Sequence, residues 1–415
     1  MDFDVPAELR AYLGALDGFI EAEIVPLQAR DDNERFFDHR REHARTDWDN
    51  DGWPRPEWEA LLAEMRRRAD RAGHYRFALP SEIGGSDGTN LQMAVIREHL
   101  AAKGLGLHND LQNESSIVGN HPFIKMMLAK GTDAQKAEFI EPCLQGERGV
   151  AFGLTEPEHG SDATHLDTTA VKDGDEWVIN GVKRFNTGMH HASHDMVYAR
   201  TSGDDGDADG ITCFLVPTST PGVELGTFWW TFNMPTDHPD VHFTAVRVGD
   251  DTIFGELGRG LELANMFVHE NRIRQAASSL GAAQYCIDRS VGYAKERAPF
   301  GRPLWLNQAI QFPLAELATE AAMLRVLVRE TAWRMDRQHH MDVTDKVSMC
   351  NYRANRLVCQ AADQAIQTFG GMGYTRHEPF EHIYRHHRRY RITEGAEEIQ
   401  IRRVAGILFG RAAKR

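Results

Sequence analysis

A glutamate followed by a glycine, Glu394-Gly395, lies in the run Arg391-Ile-Thr-Glu-Gly-Ala-Glu-Glu-Ile-Gln400, close to the end of a chain of 415 residues. A carboxylate held in such a turn can work as a general base where its surroundings are dry. Two more acids, Glu397 and Glu398, follow at once. Their positions suit a helix N-terminus, whose dipole favours negative charge. Far upstream, Gly153-Leu-Thr-Glu-Pro-Glu-His-Gly-Ser-Asp162 offers glycines that let the backbone approach a ligand and hydroxyls that can donate to one. Either run by itself is an ordinary surface turn or helix start.

The elements that must position these residues show in the periodicity. Residues 1–150 read as mostly helical. Arg55 to Met65 mixes apolar and charged positions at helical spacing, and Leu91 to Lys103 resumes the pattern after the breaker-rich Leu79-Pro-Ser-Glu-Ile-Gly-Gly85. Residues 31–54, dense in Asp, Arg and His around Trp48 and Trp53, read as a long polar excursion or irregular insertion. From 151 to 258 the pattern changes to short β-like runs. Glu176–Ile179 and Val182–Phe185 flank Asn180-Gly181, a hairpin signal. Met196–Ala199, Ile211–Val216 and Val241–Val248 are further strands. Between two of them, Ser202–Gly210 reads as a flexible, solvated acidic loop, because it lacks the closing glutamate of a calcium loop.

From 259 to 415 the chain turns helical again, with Leu317, Ala321, Leu324, Val328, Ala332 and Met335 forming one apolar stripe. The basic run His382–Arg391 reads as a solvated helix face, with a phosphate contact as the alternative. Its adjacent His386 and His387 point different ways on a helix, which argues against a metal site. The whole is a mainly α chain with a central β domain, not a doubly wound α/β fold. No Gly-x-Gly-x-x-Gly follows a predicted strand, so a Rossmann dinucleotide site is not expected.

Composition narrows the classes further. The formal charge of −14 argues against a nucleic-acid partner. Five scattered cysteines without CxxC spacing argue against disulfides or zinc and fit a reducing cytoplasm. The N-terminus, Met1-Asp-Phe-Asp-Val, lacks the basic and apolar regions of a secretory signal, and no apolar run is long enough for a membrane span. A cytoplasmic location is expected.

Several separated blocks together resemble the acyl-CoA dehydrogenase family, over most of the chain from Leu79 onward. Leu79–Gly85 resembles its N-terminal connecting loop, and Phe152–Ser161 its flavin-cradling segment. Phe185-Asn-Thr187 resembles the strand beside the isoalloxazine ring, and Thr393-Glu-Gly-Ala396 the loop that bears the base. Glu296-Arg-Ala-Pro-Phe-Gly301 with Asn307-Gln308, and Gln367-Thr-Phe-Gly-Gly371, resemble segments that reach the FAD of a neighbouring subunit. Ser161-Asp-Ala-Thr164, Asn271-Arg-Ile273 and Glu394–Glu398 look closest to the branch called acyl-CoA dehydrogenase 11-like.

The resemblance implies an N-terminal helical domain (1–150), a middle β domain (151–258) and a C-terminal four-helix bundle (259–415). It implies FAD-dependent α,β-dehydrogenation of an acyl-CoA thioester, with Glu394 removing the α-proton and hydride passing from the β-carbon to flavin N5. Phe152, Leu154, Thr155, Gly160, Ser161, Phe185, Thr187, Arg297, Phe300, Gln308, Gln367, Gly370, Gly371, Ala396 and Glu398 would then hold FAD. Ser161, Arg272, Thr393 and Gly395 would contact the substrate. Electron-transferring flavoprotein as acceptor, and a homotetramer or homodimer, follow from the same likeness.

The chemistry demands such parts. A flavin must lie dry against its substrate with donors at its N1 and N5 edge, and a weakly acidic α-proton needs help at the thioester oxygen. By the resemblance, the backbone N–H of Glu394 would supply part of that help. An arginine such as Arg297, taken alone near a helix end, would be only a dipole partner.

Departures from the family pattern limit the substrate more than the fold. Thr393 replaces an aromatic, Ala396 a threonine, Phe185 a tryptophan, Glu398 a glutamine, and His269 an aspartate. Some branches carry the base on an earlier helix. That position here is Asn271, which cannot serve, while Glu270 is offset by about 100° around a helix. A flavin oxidase or monooxygenase on the same fold, and a non-enzymatic scaffold subunit, are the competing readings.

Overall fold

The computed structural model describes residues 4–109, 116–232 and 234–410; Met1 to Phe3 of the N-terminal segment lie outside them. In chain order the principal helices and strands are α1 (Ala7–Phe19), β1 (Thr46–Asp47), β2 (Trp53–Pro54), α2 (Pro56–Arg71), α3 (Asn90–Ala102), α4 (Pro122–Lys130) and α5 (Asp133–Gln145). The strands β3 (Val150–Gly153), β4 (Thr169–Asp173), β5 (Glu176–Arg184), β6 (His194–Arg200), β7 (Ile211–Pro217), β8 (Val223–Phe228), β9 (Pro239–Gly249) and β10 (Ile253–Phe254) follow. The chain closes with α6 (Gly260–Glu296), α7 (Gln308–Met335), α8 (Thr344–Phe369), α9 (Phe380–Arg389) and α10 (Glu397–Leu408). Helices at both ends and strands between them match the change of periodicity.

Two compact units result. One gathers Met1–Ala44, Glu57–Asn120 and His269–Arg415; the other comprises Arg45–Pro56 and His121–Val268. In the first unit, the predicted stripe on α7 buries Leu317, Ala321, Leu324, Val328 and Ala332 among Ile273, Leu280, Leu357 and Val358, with Met335 partly covered. Each buried Leu or Val of the stripe contributes about 1.5–3 kcal/mol relative to exposure. Trp58, Leu61, Leu62 and Met65 of α2 pack with Leu16 and Ile20 in a second core. The capping box predicted by no earlier signal starts α3: Thr89 accepts from Gln92 N while Gln92 returns a bond to Thr89 N.

The second unit carries a mostly antiparallel sheet ordered β10-β7-β6-β4-β5-β9-β8, with β3 added parallel to β6. Its core is Ala170, Ile179, Val197, Phe214, Val216, Val241 and Val246. Asn180-Gly181 is not a hairpin turn. Both residues lie inside β5, where the register with β9 shifts between Ile179 and Gly181, and β4 meets β5 at Asp173↔Glu176. The same dipeptide suits a bulge, because Gly181 takes φ 150° and a Cβ there would stand 2.3 Å from Thr168 Oγ1.

One other expectation is corrected. The basic run is not a solvated face: α9 buries His382, His386 and His387. His387 Nδ1 lies 2.9 Å from Ser279 Oγ, His386 Nε2 lies 2.9 Å from Tyr390 Oη, and burial pushes His386 well below its usual range. His386 is thereby a neutral core residue, and His387 a buried hydrogen-bonding one. Residues 31–54 hold short 3-10 turns and the two-residue β1–β2 ladder. The acidic loop after β6 is exposed from Ser202 to Asp209 apart from Gly206, and Arg200 donates to the carbonyls of Thr164, Ser202, Asp207 and Asp209.

Candidate active site

Glu394 stands between α9 and α10 with φ 58°. Among the described residues eight non-glycines have positive φ, and four of these are aspartates, which tolerate it. The remaining four are Phe185, Ala245, Phe300 and Glu394, so three of the four are residues nominated for the site. A left-handed side-chain-bearing residue costs about 1–2 kcal/mol and persists only where its surroundings hold it there.

The holding group is Arg272 on α6, which is 5% exposed. Its Nε and Nη2 donate to the Glu394 carbonyl at 2.9 and 2.5 Å. Burial, then the nearby Arg403, push this guanidinium down to about 10 against the pull of Glu394. Its Nη1 is buried and has no hydrogen-bond partner among the described residues. A Cβ on Gly395, which takes φ 88°, would stand 2.9 Å from Arg272 Nη2, so glycine is required beside the fork. Asn271 Nδ2 lies 3.3 Å from Glu394 Oε1.

A set of buried amides fixes the other side of the loop. Gln400 Nε2 donates to Gly395 O at 2.9 Å and to Asn351 Oδ1 at 2.8 Å. Asn351 Nδ2 in turn donates to Arg272 O at 3.0 Å, and Asn355 Nδ2 to Tyr390 O at 3.0 Å. Sequence reading missed this set, although Thr344, Ser348, Asn351 and Asn355 repeat at helical core spacing on α8 and are all buried. Glu397 is accounted for as an anchor: hydrogen bonds from Arg391, then Arg356, hold its carboxyl down at about 2. Thr393 and Glu398 are exposed, Ala396 half-buried, and Glu270 half-buried. His269 is buried, with Nε2 2.9 Å from Thr344 Oγ1.

Arg297, Phe300, Gln308, Gln367, Gly370 and Gly371, all of the first unit, are exposed. Arg297 follows the last residue of α6, and Gly370 ends α8 at φ 61°. Phe300 is fully exposed at 105% with φ 56°, an arrangement no internal packing explains.

The second unit holds the remaining nominated residues. Phe185 lies one residue beyond β5, not within a strand, at φ 62° and 48% exposed. The chain Gly153 to Thr155 is tied to the end of β5: Lys183 Nζ donates to Leu154 O at 3.3 Å and Arg184 N to Thr155 O at 2.8 Å. Beneath it, the fully buried Glu156 accepts from Lys183 Nζ at 2.7 Å, Asp167 N at 2.6 Å and Thr168 N at 3.0 Å. Burial alone would raise the Glu156 carboxyl; Lys183 and these donors bring it below its ordinary value. Asn186, between Phe185 and Thr187, donates to Asp195 Oδ2 at 2.5 Å, and burial raises Asp195 to about 7. Gly153 has no space for a side chain, because a Cβ would stand 2.8 Å from Asn186 Nδ2. Phe152 stacks on Phe267 at 4.2 Å. Leu154 and Thr155 are half-buried, while Gly160, Ser161 and Thr187 are exposed.

Comparison with known proteins decides the family. The chain matches the models of the acyl-CoA dehydrogenase N-terminal domain at residues 27–147, middle domain at 151–246 and C-terminal domain at 258–409. The chain belongs to the acyl-CoA dehydrogenase family. It is 35% identical to a 3-(aryl)acrylate reductase of Clostridium sporogenes, over 81% of this chain and 88% of that one. It is 30% identical to the human mitochondrial short-chain specific acyl-CoA dehydrogenase, over 98% and 91%. A solved structure of a putative acyl-CoA dehydrogenase from Mycobacterium abscessus superposes with a TM-score of 0.85 at 26% identity, covering 99% of this chain and all of that one.

As an acyl-CoA dehydrogenase family member, the chain is an oxidoreductase acting on CH–CH donors, in a family that depends on FAD. The second unit's residues fit that group. The Thr155, Ser161 and Thr187 hydroxyls have no protein partner among the described residues, and an exposed Phe185 ring is held in a strained conformation two residues before Thr187. Sequence reading missed Lys183, Glu156, Asn186 and Asp195. Asn186 lay inside a recognised motif, but only its contact with Asp195 shows its part.

Proposed function

We propose that this protein dehydrogenates an acyl-CoA thioester between its α- and β-carbons, with Glu394 as the base that takes the pro-R α-proton. The observation that carries the reading is the cage around Glu394. A half-buried glutamate is kept in a left-handed conformation by a buried arginine fork on its carbonyl and an amide on its carboxylate. Holding a base at one place in a dry site lowers the barrier, because the proton is met in a near-attack geometry. The Glu394 backbone N–H is assigned to the thioester oxygen, where it stabilises the enolate-like transition state. Ser161, Arg272, Thr393 and Gly395 are assigned to contact with the substrate.

FAD, when bound, supplies the hydride acceptor at N5. Phe152, Leu154 and Phe185 are assigned to its apolar walls, and Gly160 to close backbone approach. Thr155, Ser161 and Thr187 are assigned to its polar edge, and Ala396 and Glu398 are the further FAD candidates. Arg297, Phe300, Gln308, Gln367, Gly370 and Gly371 are assigned to the FAD of a neighbouring copy, which makes the working form a homodimer or homotetramer. Their shared exposure supports this, as does the exposure of Trp305, Leu306, Phe312, Met323 and Val326. Electron-transferring flavoprotein is the proposed acceptor, and 1–150, 151–258 and 259–415 the proposed domain limits.

The test is an anaerobic screen of acyl-CoA thioesters of graded length and branching, read by loss of oxidised-flavin absorbance. Bleaching by at least one of them, with formation of the 2-enoyl-CoA, is expected. A yellow protein that no thioester bleaches, or one that never takes up FAD, would contradict the reading.

A further inference from the structure

Asn271 occupies a place in the base's surroundings that its sequence position alone does not explain. It is buried on α6, one residue before Arg272, and its Nδ2 lies 3.3 Å from Glu394 Oε1. An amide can present either its oxygen or its NH2 group, and which it presents decides its effect on a carboxylate. Here the choice is made by neighbours. Arg274 Nη2 donates to Asn271 Oδ1 at 3.0 Å, and Asn120 Nδ2 approaches the same oxygen at 3.4 Å. A guanidinium has donors only, so it holds the Asn271 oxygen toward itself and turns the NH2 group toward Glu394.

We propose that Asn271, oriented by Arg274 and Asn120, is a positioning residue that holds the Glu394 carboxylate in its ionised, proton-accepting state. This rests on the reading of Glu394 as the base. A donor on a carboxylate favours the charged form, and it anchors one oxygen so that the group does not swing within the site. Arg272 performs the complementary task on the backbone of the same residue. One α6 turn therefore fixes both ends of Glu394.

The experiment titrates the Glu394 carboxyl directly. The infrared carboxyl band is followed against pH in the protein as purified, and the Glu394→Gln spectrum is subtracted to isolate that group. Asn271→Leu, which removes the donor at similar volume, is expected to raise the midpoint by about one pH unit. Asn120→Leu, which removes a donor from the amide oxygen without changing any charge, is expected to move it in the same direction, and it carries the test should Asn271→Leu fail to fold. In flavin-reduction assays the acid limb of the Asn271→Leu rate profile moves up alongside, and kcat falls about tenfold while KM changes less than about twofold. A midpoint unchanged in both variants would overturn the inference. Full activity of Glu394→Gln would instead overturn the parent reading, so the two failures are distinguishable.

Discussion

At the scale of single residues, the account turns on how a glutamate is kept in a conformation it does not favour. Arg272 contributes geometry that lysine cannot copy, because its fork places two N–H groups on one carbonyl. Arg272→Lys is therefore expected to lower kcat about a hundredfold while the purified protein keeps its flavin, as read from absorbance and steady-state rates. An unchanged kcat would show that the loop holds itself. Glu394 and Gly395 were nominated through the likeness of their run to the family's base-bearing loop. Their contacts with Asn271 and Arg272 were not readable, since those residues are separated from Glu394 by 123 and 122 positions. Nothing in local spacing reports a contact of that range.

At the scale of elements, period and length were readable while conformation at particular residues was not. The stripe on α7 and the runs that became β6, β7 and β9 follow directly from hydrophobic spacing. Asn180-Gly181 misled because both a hairpin turn and a bulge use glycine's unusual φ, and the partner strand β9 decides between them. Gly181→Ala is expected to destabilise the protein by about 2 kcal/mol or more, measured by denaturant unfolding, because the new Cβ would collide with Thr168. A loss below about half a kcal/mol would show that the bulge relaxes freely. The run ending α9 misled for another reason. Charge count predicted water, whereas the bundle buries histidines with hydroxyl partners.

At the scale of the whole molecule, stability against pH depends on buried carboxyls of opposite habit. Asp195 is raised by burial from 3.8 to about 7, opposed by the hydrogen bond from Asn186. The folded state then keeps a proton that the unfolded chain has lost, so stability is fullest below the unfolded value and declines as pH rises toward about 7. Asp195→Asn removes that slope. The melting temperature of the parent is expected to fall relative to this variant between about pH 4.5 and 7.5, and parallel curves would refute the assignment. Glu397 has the reverse sign: held down at about 2 by Arg391 and Arg356, its contribution is present above 4.5 and lost in acid. Among the described residues no helix is long and apolar enough to cross a membrane.

The most direct measurement is anaerobic mixing of Glu394→Gln with an acyl-CoA that reduces the parent protein. The variant is expected to stay yellow, with its flavin content unchanged and reduction slowed by a factor of about 10³ or more. Flavin bleaching at the parent rate would show that another group takes the proton, and the central claim would fail.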